Sequence, residues 1–100
     1  MGRKIIWTEQ ASGDIEAIIR YLAARDPAAA QRIGYGIYDR TQILLQHAES
    51  RSPLEELSGL GWRKLIFRRW KIVYKIEAEE IIIGRVWPAA LGEADLTTPL

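Results

Sequence analysis

The sequence has no cysteine. That excludes a disulfide framework and a thiolate metal site, and it fits a reducing cytoplasm. Histidine occurs once, at His47, near the expected end of a helix, where a cation is favourable and a structural role suffices. No metal or other cofactor is expected. Long apolar runs are also missing, and nothing approaches the roughly 20 residues of a membrane span. The opening "MGRKIIWTEQ" turns polar after three apolar residues. It has no signal-peptide h-region, and "MGRKII" lacks the Ser or Thr of a myristoylation signal. These absences lead to the expectation of a cytoplasmic chain with no membrane partner. There are no repeats, low-complexity runs or linkers, and the net charge is only +1, so the chain as a whole is not a polycation.

What is present is enough for one small domain over residues 1–100, with a core at about 3–88 and a C-terminal tail over 89–100. At 48% hydrophobic and 27% charged residues, the composition is that of an ordinary globular protein. The charge is unevenly placed. Residues 62–75, "WRKLIFRRWKIVYK", hold six of the fourteen Lys and Arg and no acid, which predicts a local basic face on a near-neutral remainder.

"RKIIW", Arg3 to Trp7, reads as a buried first strand. Thr8 offers a helix N-cap, with Glu9 in the first turn where the helix dipole favours an acid. Ile15, Ile18, Ile19 and Leu22 recur at helical spacing over roughly 9–24, with Asp14, Glu16 and Arg20 on the other face. Asp26 caps a second helix and Pro27 fits its first position. This helix is expected to run to about His47, with a stripe of Ile33, Ile37, Thr41, Leu44 and Leu45. Gly34 and Gly36 each cost about 1 kcal/mol of helix propensity, a cost that close approach of another backbone would offset. The short break predicts an antiparallel helical hairpin. "AESRSPLEELSGLG" reads as a loop pinned by Leu54, Leu57 and Leu60, with Glu55 and Glu56 solvated. Three strands follow, Trp62–Phe67, Trp70–Ile76 and Ile81–Trp87, joined by turns at Arg68-Arg69 and at "EAEE". In the second, Trp70, Ile72, Tyr74 and Ile76 share one face and Lys71, Val73 and Lys75 the other. Short links favour an antiparallel meander. The basic residues are expected to collect on the outer face and at the turn.

The order β-α-α-β-β-β in a hundred residues, with "IIWTEQASGDIEAIIRYLAARDPAAAQRI", "WRKLIF", "RRWKIVYKI" and "IIIGRVW", resembles the RelE/ParE toxin superfamily of type II toxin–antitoxin modules. The likeness covers about residues 3 to 88. It implies an α+β fold, a helical hairpin packed on a mainly antiparallel four-stranded sheet. It also implies a cytoplasmic toxin neutralised by a cognate antitoxin, a small, partly disordered protein with an acidic C-terminal segment. Two activities are possible within the resemblance. A RelE-like toxin enters the ribosome and cuts mRNA, whereas a ParE-like toxin poisons DNA gyrase with no hydrolytic chemistry.

The RelE-like reaction needs a base, a cation for the phosphorane and an acid for the leaving oxygen. Position by position, Arg63, Lys71 and Arg85 match cations of that kind, and the three could bind a phosphate. Leu65 stands where a second lysine is common, and "PAALGEADL" follows the last strand in place of a His or a basic run. Tyr74 reads as core, and Tyr21, Tyr35 and Tyr38 lie on the helices. No catalytic residue is favoured. The expectation is a ParE-like gyrase inhibitor. The ribosome-dependent mRNA endonuclease is the alternative, and a chain that has lost toxicity and binds only its antitoxin remains open. Target or antitoxin contacts are assigned to Arg63, Arg68, Arg69, Trp70, Lys71 and Arg85. Lys64 and Lys75 read equally well as solvated strand residues. Trp7, Trp62 and Trp87 read as core or rim packing.

Overall fold

The computed structural model describes residues 3–47 and 61–91; the loop leucines Leu54, Leu57 and Leu60, with Glu55 and Glu56, lie outside them. The elements follow in the order β1 (Lys4–Trp7), α1 (Glu9–Ala23), α2 (Pro27–Gln42), α3 (Leu44–His47), β2 (Trp62–Phe67), β3 (Trp70–Glu77) and β4 (Glu80–Pro88), with a 3-10 turn over Ala89–Leu91. The fold is α+β, and each strand lies within a residue of its expected bounds.

Both long helices start where capping chemistry predicts. The Thr8 hydroxyl accepts from the Ala11 N–H at 3.1 Å, and the Asp26 carboxylate accepts from the Ala29 N–H at 3.2 Å, with Pro27 opening α2. The expected single helix to His47 is broken at Ile43, and Leu44–His47 forms its own turn. The break changes the stripe. Ile37, Thr41 and Leu44 are fully buried, whereas Leu45 is exposed.

The sheet runs β1-β4-β3-β2. The last three strands form the antiparallel meander, and β1 adds itself parallel to β4. The helices cover one face, where Leu65, Ile72, Tyr74, Ile81, Ile83 and Val86 meet Ile37 and Leu44. Ile15, Ile18 and Leu22 pack against this core from α1. Ile19 turns aside to α2, where its Cδ1 would lie 2.9 Å from a Cβ placed on Gly34. The glycines thus admit side chains rather than a backbone. At Gly36 an added Cβ would fall 2.5 Å from Cζ of the Phe67 ring.

The outer face departs from the expected solvated basic surface. Lys71 and Val73 are both buried there. β3 is a central strand, flanked on that face by Ile66 and Trp87 beside Lys71, and by Lys64 and Arg85 beside Val73. Lys75 lies 5.1 Å from the Trp62 ring centroid.

β4 contains a bulge. Val73 pairs with Arg85 but Tyr74 with Ile83, which leaves Gly84 as the extra residue. β1 ends opposite Ile83, so beyond the bulge one edge of β4 has no strand beside it among the described residues. Residues near the start of α1 take over. The Thr8 hydroxyl lies 2.9 Å from the Ile83 carbonyl oxygen and 3.1 Å from that of Gly84. The Asp14 carboxylate accepts from the Val86 N–H at 2.9 Å, and from Nε and Nη2 of Arg85 at 2.8 Å each. Asp14 therefore does not share the solvated face expected for it with Glu16 and Arg20. Its side chain is only 16% exposed, and that of Arg85 14%.

Two stability outcomes follow from these contacts. Gly36→Ala should lower the melting temperature even though alanine gains about 1 kcal/mol of helix propensity, and Phe67→Leu in the same chain should recover part of the loss. A Gly36→Ala protein melting above the parent would show that the Phe67 ring can move away freely. Asp14→Ala strands a largely buried guanidinium and should cost about 3–5 kcal/mol. In denaturant titrations the Asp14→Ala/Arg85→Ala pair should cost clearly less than the sum of the single changes. Additive losses would mean that the two residues do not act together.

Candidate functional site

The β2–β3 turn is a two-residue connection, Arg68-Arg69, and Arg68 holds a left-handed backbone with φ of 53°. For a residue with a Cβ this costs about 1 kcal/mol, and Ala78 carries the same φ in the next turn. Short turns between tightly paired strands demand such angles. The consequence is that two exposed arginines project from the end of the meander, with the Arg68 guanidinium 5.6 Å from the Phe67 ring centroid.

This turn forms one wall of an open groove of about 630 Å³. α1 supplies Ala17, Ile18, Tyr21 and Leu22, α2 supplies Ile33, and Trp70 and Pro88 close the end beside the arginines. The floor is apolar, since Ile18, Leu22 and Ile33 face it with the sides that the core leaves uncovered. Tyr21 is 61% exposed, and Arg25 lies over its ring at 4.2 Å from the centroid. Arg68 and Arg69 thus line one apolar depression, and Arg25 is stacked on Tyr21 of its wall. The Ala89 N–H donates to the Arg69 carbonyl at 2.9 Å, which ties the turn to the segment leaving β4.

The six residues singled out in the sequence are not gathered into one site. Arg68, Arg69 and Trp70 line the groove together. Arg63 pairs with Tyr74 and so lies on the helix-facing side of β2 with Leu65 and Phe67. Lys71 is buried on the opposite face. Arg85 stacks over Trp87 at 4.7 Å while bound to Asp14. Arg63, Lys71 and Arg85 are all engaged within the fold. Tyr21, Arg25 and Ile33 were not recognised as part of a site. Tyr21 and Arg25 did leave a trace, a cation–aromatic pair at helical i,i+4 spacing.

A second open groove, of about 730 Å³, lies on the helical hairpin between Ile19, Ala30 and Gly34 and the tyrosines Tyr35 and Tyr38. Those tyrosines are 68% and 53% exposed. Among the described residues no helix is long and apolar enough to cross a membrane.

The fold and the sequence each have a counterpart among known proteins. A solved structure described as the chromosomal ParDE TA system from P. aeruginosa matches with a TM-score of 0.77 at 22% identity, covering 86% of this chain and 95% of that chain. At that identity the likeness speaks to the fold. No curated protein matches the sequence significantly. The model of the family described as the ParE toxin of type II toxin–antitoxin system, parDE, matches residues 5–90. A match over that span of a hundred-residue chain carries the conclusion that this protein belongs to the ParE family of type II toxins.

Proposed function

We propose that this toxin arrests growth in the cytoplasm by binding DNA gyrase, without chemistry of its own, and that a cognate antitoxin neutralises it by covering the hairpin and the arginine-rimmed groove. The observation that carries this reading is the contrast between two sets of cations. Arg68 and Arg69 stand exposed over an apolar floor, which suits contact with a protein. Arg63, Lys71 and Arg85 are spread over both faces of the sheet and committed to partners inside the fold. A phosphorane needs several cations converging on one point, and their separation supports binding over cleavage.

The antitoxin follows from the same surface. Tyr21, Tyr35 and Tyr38 are exposed aromatic bodies on the hairpin, with grooves on either side. They suit the apolar anchors of a segment that folds as it binds, and Arg68 and Arg69 suit its acids. Hydrogen exchange on the toxin–antitoxin complex is expected to slow in the exposed side of the hairpin and around Arg68–Trp70. Protection confined to the β1 edge would contradict this seat.

The target is tested in two assays run on one preparation. Purified toxin should block supercoiling by gyrase and leave mRNA on programmed ribosomes uncut. An Arg68→Gly/Arg69→Ala variant should inhibit at least about tenfold less well, a loss of about 1.4 kcal/mol of binding. It should still melt near the parent temperature, because glycine relieves the left-handed backbone at position 68. Codon-phased cuts that disappear with Arg63→Ala, in a chain that melts like the parent, would instead assign it a ribosome-dependent endonuclease activity.

A further inference from the structure

We infer that the antitoxin-free toxin pairs with a second copy of itself through the exposed face of α2, about a two-fold axis beside Tyr35. That face carries projecting aromatics, a floor of small residues and opposite charges, placed so that it fits its own copy.

The exposed residues of α2 form one stripe. Ala28, Gln31, Arg32, Tyr35, Tyr38 and Asp39 are all exposed, and spacings of three and four residues set them along one side of the helix. Tyr35 stands at the centre. Arg32 and Tyr38 lie three residues to either side of it, and Gln31 and Asp39 lie four. Steps of about 100° per residue put Gln31 and Tyr38 on one flank of Tyr35, and Arg32 and Asp39 on the other. Gly34, which faces Ile19 of α1, belongs to the Gln31–Tyr38 flank.

A two-fold axis across two antiparallel α2 helices keeps each flank on its own side and reverses the chain direction. Arg32 of one copy then meets Asp39 of the other, and the symmetry repeats the pair. Gln31 meets Tyr38 in the same way on the flank beside α1. Within one chain Arg32 and Asp39 do not reach each other, because seven residues of helix hold them about 10 Å apart. Neither forms an ion pair among the described residues. A second copy supplies what each lacks.

Shape agrees with charge. Tyr35 and Tyr38 are 68% and 53% exposed. Beside them the hairpin groove has a floor of Ala23, Ala30 and Gly34. Pairing sets the tyrosines of one copy over the small residues of the other, so each face provides both the projection and the hollow. This groove shares no lining residue with the arginine-rimmed one, so the pairing and the gyrase reading stand independently. The antitoxin is the rival occupant. On the reading above it anchors on Tyr35 and Tyr38, and its addition should split the pair.

Sedimentation equilibrium of the full-length toxin without antitoxin tests the pairing. The parent should be dimeric in the high-micromolar range. Arg32→Asp or Asp39→Arg alone places like charges at both contacts and should weaken association at least about tenfold. Mixing the two variants restores both ion pairs in a heterodimer, and Arg32→Asp/Asp39→Arg in one chain restores them in a homodimer. Both should recover most of the parent affinity. The changed residues are exposed, so in dilute solution every variant should melt like the parent. The chain has no cysteine, so Tyr35→Cys places a single thiol on the axis and should give an intermolecular disulfide under mild oxidation. Tyr21→Cys, in the other groove, should not. A monomeric parent, charge reversals without effect, no recovery on mixing, or equally fast crosslinking through position 21 would overturn the inference. The two readings fail separately: a dimer that persists with antitoxin bound would keep the pairing and move the antitoxin off this face, and a monomer with antitoxin protection at Tyr35 would remove only the pairing.

Discussion

The fold depends on how the free edge of β4 is satisfied. β1 pairs with β4 only as far as Ile83, and buried backbone donors and acceptors beyond it need other partners. Thr8 and Asp14, six residues apart on either side of the start of α1, provide them. Thr8 caps the helix while contacting the carbonyls at the bulge, and Asp14 takes the Val86 N–H together with the Arg85 fork. One carboxylate thus ties α1 to β4 beyond the bulge. A bidentate, charge-assisted pair is among the stronger polar contacts available for this, and it stays directional at partial burial.

That anchoring makes the groove possible. With α1 held at β4, the far end of the helix carries Ile18, Tyr21 and Leu22 toward the β2–β3 turn rather than over the middle of the core. The meander returns its tightest turn to the same end, and the left-handed Arg68 allows a two-residue link there. Apolar side chains from the helices and charged ones from the turn therefore meet without burying each other. The depression stays open, and its rim stays basic.

The distribution of charge separates the cations into two groups. A chain with a net charge of +1 has no general affinity for polyanions, so its recognition must come from local arrangement. The fold commits some cations to internal partners and leaves others in the open. Arg85 serves the β4 edge, and Lys71 sits within the outer face of a central strand. Arg68 and Arg69 are the pair held outward beside apolar surface. That arrangement is what supports the contact reading proposed for this member of the ParE toxin family, since binding a folded partner needs shape and a few placed charges rather than a convergent catalytic cluster.

The local elements are legible in the residues alone. Thr8 and Asp26 announced both long helices, Pro27 marked the restart, and the period-2 pattern with two short turns defined the meander within a residue. These signals are legible because capping, proline geometry and strand alternation act over a few neighbours. Long-range packing sets the rest. The helical period placed Asp14 with Glu16 and Arg20 on a solvated face, yet it serves Val86, 72 residues away in sequence. Alternation placed Lys71 outward, yet its position in a central strand buries it. Tyr21 read as an ordinary helical tyrosine, and only the return of the Arg68-Arg69 turn to the end of α1 makes it part of a site. Pattern shows which face of an element is apolar, but not which distant element will lie against the other face. That depends on strand order and helix crossing, which are properties of the whole chain.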